Sequence, residues 1–287
     1  MNSLLISQKT MKKIFPLVVL LWCALPGTAF AAPPGRIVSL APSITEILYD
    51  LGLEDRVVAV TTFCDYPPQV MHKPKIGGFA NPSIEAIVAA RPDLVVMTDD
   101  GNPIEVSDRL MKLGIHTYTF RAKRLSELPQ GIRDLGVAIG IKNQAYKRAK
   151  RLETGLRKYA GNVQKSPPPY FRKKAIFIIQ PEPLIVAGPG TVIDDAFDLL
   201  GLQNIASDTD ARYPKYSIEE VILRSPDVIF IGMGPMTRET SKNLLKRLAR
   251  LDAVRKGRVY YTSESLYRLT PRVMSGIEEI EGHLRGY

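Results

Sequence analysis

The chain is short of the residues that build metal sites and disulfide frameworks. Its 287 residues include two cysteines, three histidines and one tryptophan. Cys23 and Trp22 fall in an N-terminal segment, so the remainder carries a single cysteine, Cys64, and can form no internal disulfide. Its stability therefore rests on packing. His72, His116 and His283 are too few to supply the several converging donors of a zinc or manganese site. His116 falls in a predicted strand and His283 near the C-terminus. No apolar run reaches the ~20 residues of a membrane-spanning helix. No Gly-x-Ser-x-Gly elbow occurs, no histidine lies in a hydrolase context, and Cys64 has no evident histidine partner for nucleophilic catalysis.

The first 31 residues instead read as a processing segment. Lys9, Lys12 and Lys13 form a positive stretch, Ile14 to Leu25 an apolar one, and Ala29-Phe30-Ala31 a small-residue cleavage site. We expect cleavage after Ala31 and export from the cytoplasm. Lipid attachment at Cys23 is disfavoured by the bulky Trp22 before it. Removing the segment takes the net charge from +10 to +7. That balance does not imply nucleic-acid binding. The Lys and Arg residues concentrate at 142–158 and 238–258, among Leu and Ala at helical spacing, which describes solvated helix faces.

Beyond residue 31 the pattern alternates. Short apolar runs predict strands at 36–41, 57–61, 94–97 and 115–120, with helices at 44–51, 83–90 and 106–113 between them. Alternation over short loops points to a parallel sheet with helices on its faces. From 125 to 163 no strand appears. Leu135, Ile139, Ala145, Ala149, Leu152, Leu156 and Tyr159 recur at helical spacing, broken near Gly140, and three prolines end the run. Alternation then resumes, with strands at 175–179, 228–231 and 259–262 and helices at 192–200, 218–224, 242–251 and 271–284. The expected organisation is a signal peptide at 1–31, an α/β lobe at 32–124, bridging helices and a Pro-rich linker at 125–169, and a second lobe at 170–287.

The two halves repeat one another. Ser83-Ile84-Glu85 leads to Pro92-Asp93, and Ser217-Ile218-Glu219 leads to Pro226-Asp227 at the same offset. Each Ser is a good N-cap, and each Glu suits the positive end of a helix dipole. Spacing alone makes both Glu ordinary first-turn acids. Two lobes joined by a long helix leave a groove between them, and ligands of parallel sheets sit beyond the carboxyl ends of strands. The loops predicted there carry Phe63, Tyr66, Phe79, Tyr213, Tyr216 and Tyr267, which favours a flat, partly apolar ligand. Arg268 is placed to meet a phosphate or carboxylate, or to sit in an ordinary salt bridge. A nucleotide-dependent exported enzyme is a distant alternative. Gly232-Met233-Gly234 follows a strand, yet Thr237 stands where a dinucleotide fingerprint needs its third glycine, and Gly188-Pro189-Gly190 before a helix could hold an anion but is more often simply a turn.

Three runs carry a family resemblance: Arg36-Ile-Val-Ser-Leu-Ala-Pro-Ser, Cys64-Asp65-Tyr66-Pro67-Pro68, and Gly77-Gly78-Phe79-Ala80-Asn81-Pro82-Ser83-Ile84-Glu85. They resemble the ABC-importer binding proteins that carry cobalamin, haem and iron-siderophores, and within that class the cobalamin carriers. Thr270-Pro271-Arg272 extends the likeness to the C-terminus. The resemblance implies the class III periplasmic binding fold, two similar parallel-sheet lobes bridged by a long rigid α-helix. It implies a monomer that captures a corrinoid without catalysis or a cofactor of its own, with a ferric siderophore or haem as the alternative cargo. By the same resemblance, Tyr66, Phe79, Tyr213 and Arg268 bind the ligand, and Thr98 stands where a tryptophan is expected. Glu85 and Glu219 match the acids that dock on a two-fold-symmetric inner-membrane permease.

Overall fold

A computed structural model describes residues 33–233 and 237–286. The expected signal peptide at 1–31, and Gly234 of the glycine pair, lie outside the described residues. The chain runs β1 (Ile37–Ser39), α1 (Pro42–Asp50), β2 (Val57–Val60), α2 (Ile84–Ala89), β3 (Leu94–Thr98), α3 (Ile104–Lys112) and β4 (Thr117–Phe120). Two helices follow, α4 (Leu128–Ala138) and α5 (Lys142–Lys165). Then come β5 (Lys174–Gln180), β6 (Ile185–Val186), α6 (Val192–Leu200), β7 (Gln203–Asn204), α7 (Ile218–Arg224) and β8 (Val228–Gly232). The chain closes with α8 (Thr237–Arg247), α9 (Asp252–Arg255), β9 (Val259–Thr262) and α10 (Val273–Leu284).

The first sheet has the order β2-β1-β3-β4, all parallel. The second runs β6-β5-β8-β9, with β7 also on β5. Set aside β6, which is antiparallel to β5, and the second sheet reads β7-β5-β8-β9, the order of the first. The sequence repeat has a physical cause in this topology. The Asp93 carboxylate accepts from the amides of Gly35 and Arg36, each at 2.9 Å, and so anchors the entry to β1. Asp227 does the same for Lys174 at the start of β5, also at 2.9 Å. Each Pro-Asp pair therefore locks its lobe's first strand to its third.

Differences from the sequence expectations lie where apolar period is weak. β6 and β7 are two residues each, too short to register as strands. The helix expected at 242–251 spans Thr237–Arg247, because its first turns are polar and carry no apolar stripe. His116 precedes β4 instead of lying in it.

Each lobe has an outer core between its sheet and outer helices. Val38, Ile76 and Leu110 belong to one, and Ile176, Val221 and Leu248 to the other. The largest apolar cluster is shared. It joins Ile44 and Val96 of the first lobe, Leu135 and Leu152 of the bridging helices, and Phe197, Phe230 and Ile277 of the second. α5 buries Ala145, Ala149, Leu152 and Leu156, one face of a helix 24 residues and so about 36 Å long. Arg148 on α5 forms a bidentate pair with Asp50 on α1, and Arg133 on α4 pairs with Glu153 on α5. No helix among the described residues is long and apolar enough to cross a membrane.

α4 and α5 pack tightly at Gly136, where an added Cβ would lie 2.0 Å from the Cβ of Ala145. Gly136→Ala should therefore destabilise the protein by about 1–3 kcal/mol through overpacking, despite alanine's better helix propensity. A urea unfolding midpoint equal to that of the parent would contradict this packing.

Candidate functional site

Loops from the two lobes enclose a cavity of about 350 Å³. Phe63, Phe79 and Thr98 line it from the first lobe, and Tyr213, Tyr267 and Arg268 from the second. Phe63 and Phe79 meet edge to face at 6.0 Å, a favoured aromatic geometry. The Phe79 loop is held by Asn102, whose side-chain amide donates to the carbonyls of Phe79 at 2.6 Å and Leu40 at 3.0 Å. Asn102 Oδ1 accepts from the Thr98 amide at 2.8 Å. Gly101 beside it has φ +107°, and a Cβ there would come within 2.5 Å of the Phe79 ring. Thr98 is buried, and its hydroxyl accepts from the Asp100 amide.

On the opposite wall Tyr267 packs edge to face on Phe177 at 6.2 Å. Its hydroxyl occupies the space that a Cβ on Gly232 would take. Gly232 thus makes room for Tyr267. Burial, and to a lesser degree Glu264, pushes the Tyr267 pKa up to about 12. Tyr213 is half exposed at the cavity mouth, with the Arg212 guanidinium 5.9 Å from its ring. Arg212 bonds Asp100 at 2.9 Å, joining the lobes across the opening.

Arg268 is bound within the protein. It donates to Glu46 Oε1 at 2.9 Å, to Asp65 Oδ1 at 2.6 Å and to Asp65 Oδ2 at 3.2 Å. The other Glu46 oxygen accepts from the Thr270 hydroxyl at 3.0 Å and lies 3.7 Å from Arg272 Nε. The Glu46 side chain is only 3% exposed. Burial alone would lower the Arg268 pKa, but the hydrogen bonds to Asp65 and Glu46 outweigh it and raise it. The hydrogen bond from Arg268 holds the Asp65 carboxyl below its ordinary value, against a smaller opposing effect of burial.

Of the residues singled out in the sequence, Phe79, Tyr213 and Arg268 come together in this cavity, with Phe63 and Tyr267 beside them. Tyr66 does not join them. It lines a separate groove with Glu46, Tyr49 and Asp50, and its ring lies 3.9 Å from the Arg272 guanidinium. Tyr216 is also away from the cavity, buried in the second lobe's outer core under Arg224. Glu46, Asp65 and Asn102 were not singled out. Asn102 sat in a Gly-Asn-Pro turn signal, whereas Glu46 looks like any polar residue of a short helix.

Glu85 and Glu219 are both exposed, in the first turns of α2 and α7. Ser83 Oγ accepts from the Ala86 amide and Ser217 Oγ from the Glu220 amide, so both serines cap as expected. Glu85 is held below its usual range by its own backbone amide and by the Ser83 hydroxyl. The rival glycine loop is filled internally. Asp194 accepts from the Gly190 amide at 3.1 Å, and Thr191 caps α6, so the helix end that an anion would need is taken. Cys64 is buried between the hydroxyls of Thr45 and Thr61, each 3.1 Å away.

Residues 37–266 match the family model described as periplasmic binding protein. A vitamin B12-binding protein of Vibrio cholerae serotype O1 is 33% identical over 264 residues, covering 88% of this chain and 90% of its own length. Among solved structures, the periplasmic vitamin B12 binding protein BtuF of Vibrio cholerae superposes with a TM-score of 0.77 at 29% identity. It covers 88% of this chain and 97% of its own. The periplasmic heme-binding protein RhuT from Roseiflexus sp. RS-1 superposes equally well, with a TM-score of 0.77 at 26% identity, covering 88% and 98%.

The Arg268 junction makes two testable statements. Arg268→Met strands the Glu46 carboxylate and should cost about 3–5 kcal/mol of unfolding free energy. Asp65→Asn, at a carboxylate half exposed to solvent, should cost about 1 kcal/mol or less. The Asp65 pKa is lowered on folding, so its contribution is complete above about pH 4 and is lost as pH falls through the lower folded value. Denaturation of the parent and of Asp65→Asn below pH 4 checks this, since the variant should lack that part of the acid dependence.

Proposed function

Because the chain belongs to the periplasmic binding protein family, we propose that it captures a cobalamin between its lobes and delivers it to an ABC importer. The observation that carries this reading is the aromatic cavity at the lobe interface, with walls from both halves. Flat, weakly polar faces suit a corrin ring and its base. The named vitamin B12 relatives support the cargo, and the heme-binding neighbour keeps haem, with ferric siderophores, as the alternative. Phe79 and Tyr213 are the proposed stacking surfaces. Arg268 orders the wall through Asp65 and Glu46, and Tyr66 contributes only if its groove opens into the cleft. The protein acts without turnover or a resident cofactor, as an exported monomer released by cleavage after Ala31. Its working units are the lobe 32–124, the bridge 125–169 and the lobe 170–287.

The cavity is small for this cargo. Drug-sized ligands occupy pockets of about 300–1,000 Å³, and cobalamin is several times larger than a drug. Binding therefore requires the Arg212–Asp100 contact across the opening to break, which is cheap for an exposed pair. The Glu46–Arg268 junction stays closed, and the movement is short.

On the outer surface, Glu85 and Glu219 are proposed to dock on paired cations of a two-fold-symmetric permease, giving register more than affinity.

Calorimetric titration with cobalamin, a ferric siderophore and haem tests the cargo. We expect saturable one-to-one binding of cobalamin, weakened about ten-fold or more by Tyr213→Ala or Phe79→Ala. An absence of corrinoid binding would refute it. Glu85→Ala with Glu219→Ala should leave cobalamin affinity unchanged and abolish most uptake; undiminished uptake would refute the docking role.

A further inference from the structure

The two docking helices share more than an acid. α2 and α7 each have their inward face occupied, by Ile87 on one and by Ile218 and Val221 on the other. Each nevertheless exposes an aliphatic side chain one turn beyond its glutamate. Val88 is 42% exposed and Ile222 37%. The two positions are equivalent in the repeat, and residues three apart on a helix are surface neighbours. α7 adds Leu223, 85% exposed, where α2 has Ala89. Single exposed aliphatics are ordinary on a protein surface. A carboxylate-aliphatic pair at matching positions in both lobes is not explained by core packing, because the core-facing positions are already filled.

The backbone keeps the two pairs alike. Serine caps start both helices, and a residue with φ of +47° follows each, Ser225 at the cap of α7 and Arg91 just past the cap of α2. A Pro-Asp pair follows each, tying the chain after the helix to the start of the lobe's first strand through Asp93 and Asp227. Glu85 and Glu219 are both exposed, with one Glu85 oxygen accepting from the Ser83 hydroxyl at 3.0 Å, so an outside cation can reach either carboxylate.

We propose that each lobe carries a two-point contact, Glu85 with Val88 and Glu219 with Ile222 and Leu223, for a protein partner presenting a cation beside an apolar socket at two related sites. This rests on the reading that the protein docks on an importer, and it deepens that reading. The glutamates align the partners, while desolvation of the aliphatics supplies most of the affinity. Leu223 makes the second-lobe contact the stronger of the two.

The test measures binding of the full protein, loaded with cobalamin, to the detergent-solubilised cobalamin importer of the same organism by surface resonance. Val88→Ser/Ile222→Ser/Leu223→Ser is compared with Glu85→Ala/Glu219→Ala at about 0.05 M and about 0.5 M salt, which bracket strong and weak charge screening. The aliphatic variant should bind about ten-fold or more weakly at both salts. The glutamate variant should lose most at low salt and little at high salt. Both should melt within a few degrees of the parent and bind cobalamin within two-fold of it, which excludes misfolding. If the aliphatic variant binds like the parent while the glutamate variant is impaired, the apolar contact is wrong and the docking reading survives. Parent-like binding by both variants would overturn the two together.

Discussion

A buried carboxylate that cannot stand alone organises this molecule. Glu46 sits on α1, a helix of the first lobe, with its side chain removed from water. An unpaired charge there would be strongly unfavourable. Its partners, Arg268, Thr270 and Arg272, come from the segment leading into α10, more than 220 residues along the chain. Among the described residues, the last helix is thereby tied to the first. The same guanidinium reaches Asp65 and forms part of the cavity wall. Its charge is balanced before any ligand arrives, which leaves the aromatic rings to set the character of the cavity.

The junction works because apolar packing surrounds it. One cluster runs from α1 through α4 and α5 into α6 and α10, so the lobes share a core as well as a boundary. Opening the lobes widely would break that core, whereas Arg212–Asp100 at the rim is an ion pair already partly exposed to solvent. The mechanics follow from this contrast. The rim can yield to a ligand while the base of the cleft holds, which is the stiffness expected when two lobes hang on a long helix with a buried face.

Most of the fold was legible from periodicity. The strand-helix alternation, the long helical interval broken near Gly140 and the Ser-capped repeat all have local causes, and local causes leave local signatures. β6 and β7 escaped because two residues have no period, and the start of α8 because its first turns are polar. Phe79, Tyr213 and Arg268 were legible as residues on loops beyond strands. Tyr66 and Tyr216 follow the same rule in sequence yet turn elsewhere, one against Arg272 and the other into the outer core. Loop direction depends on what the loop packs against, and no spacing rule contains that.

Arg268 shows the division most plainly. Its sequence context raised two readings, an anion contact or an ordinary salt bridge, and could not choose between them. The choice depended on Glu46, whose position in a nine-residue helix carries no sign of a partner across the molecule. Sequence by itself determined the two lobes, their repeat, the capped glutamates and the linking helix, since capping, chain direction and apolar period act over a few residues. Only the tertiary structure decided which aromatics share the cavity and where the buried Glu46 finds its cations, because those contacts join residues that are distant in the chain and exist only once both lobes have packed.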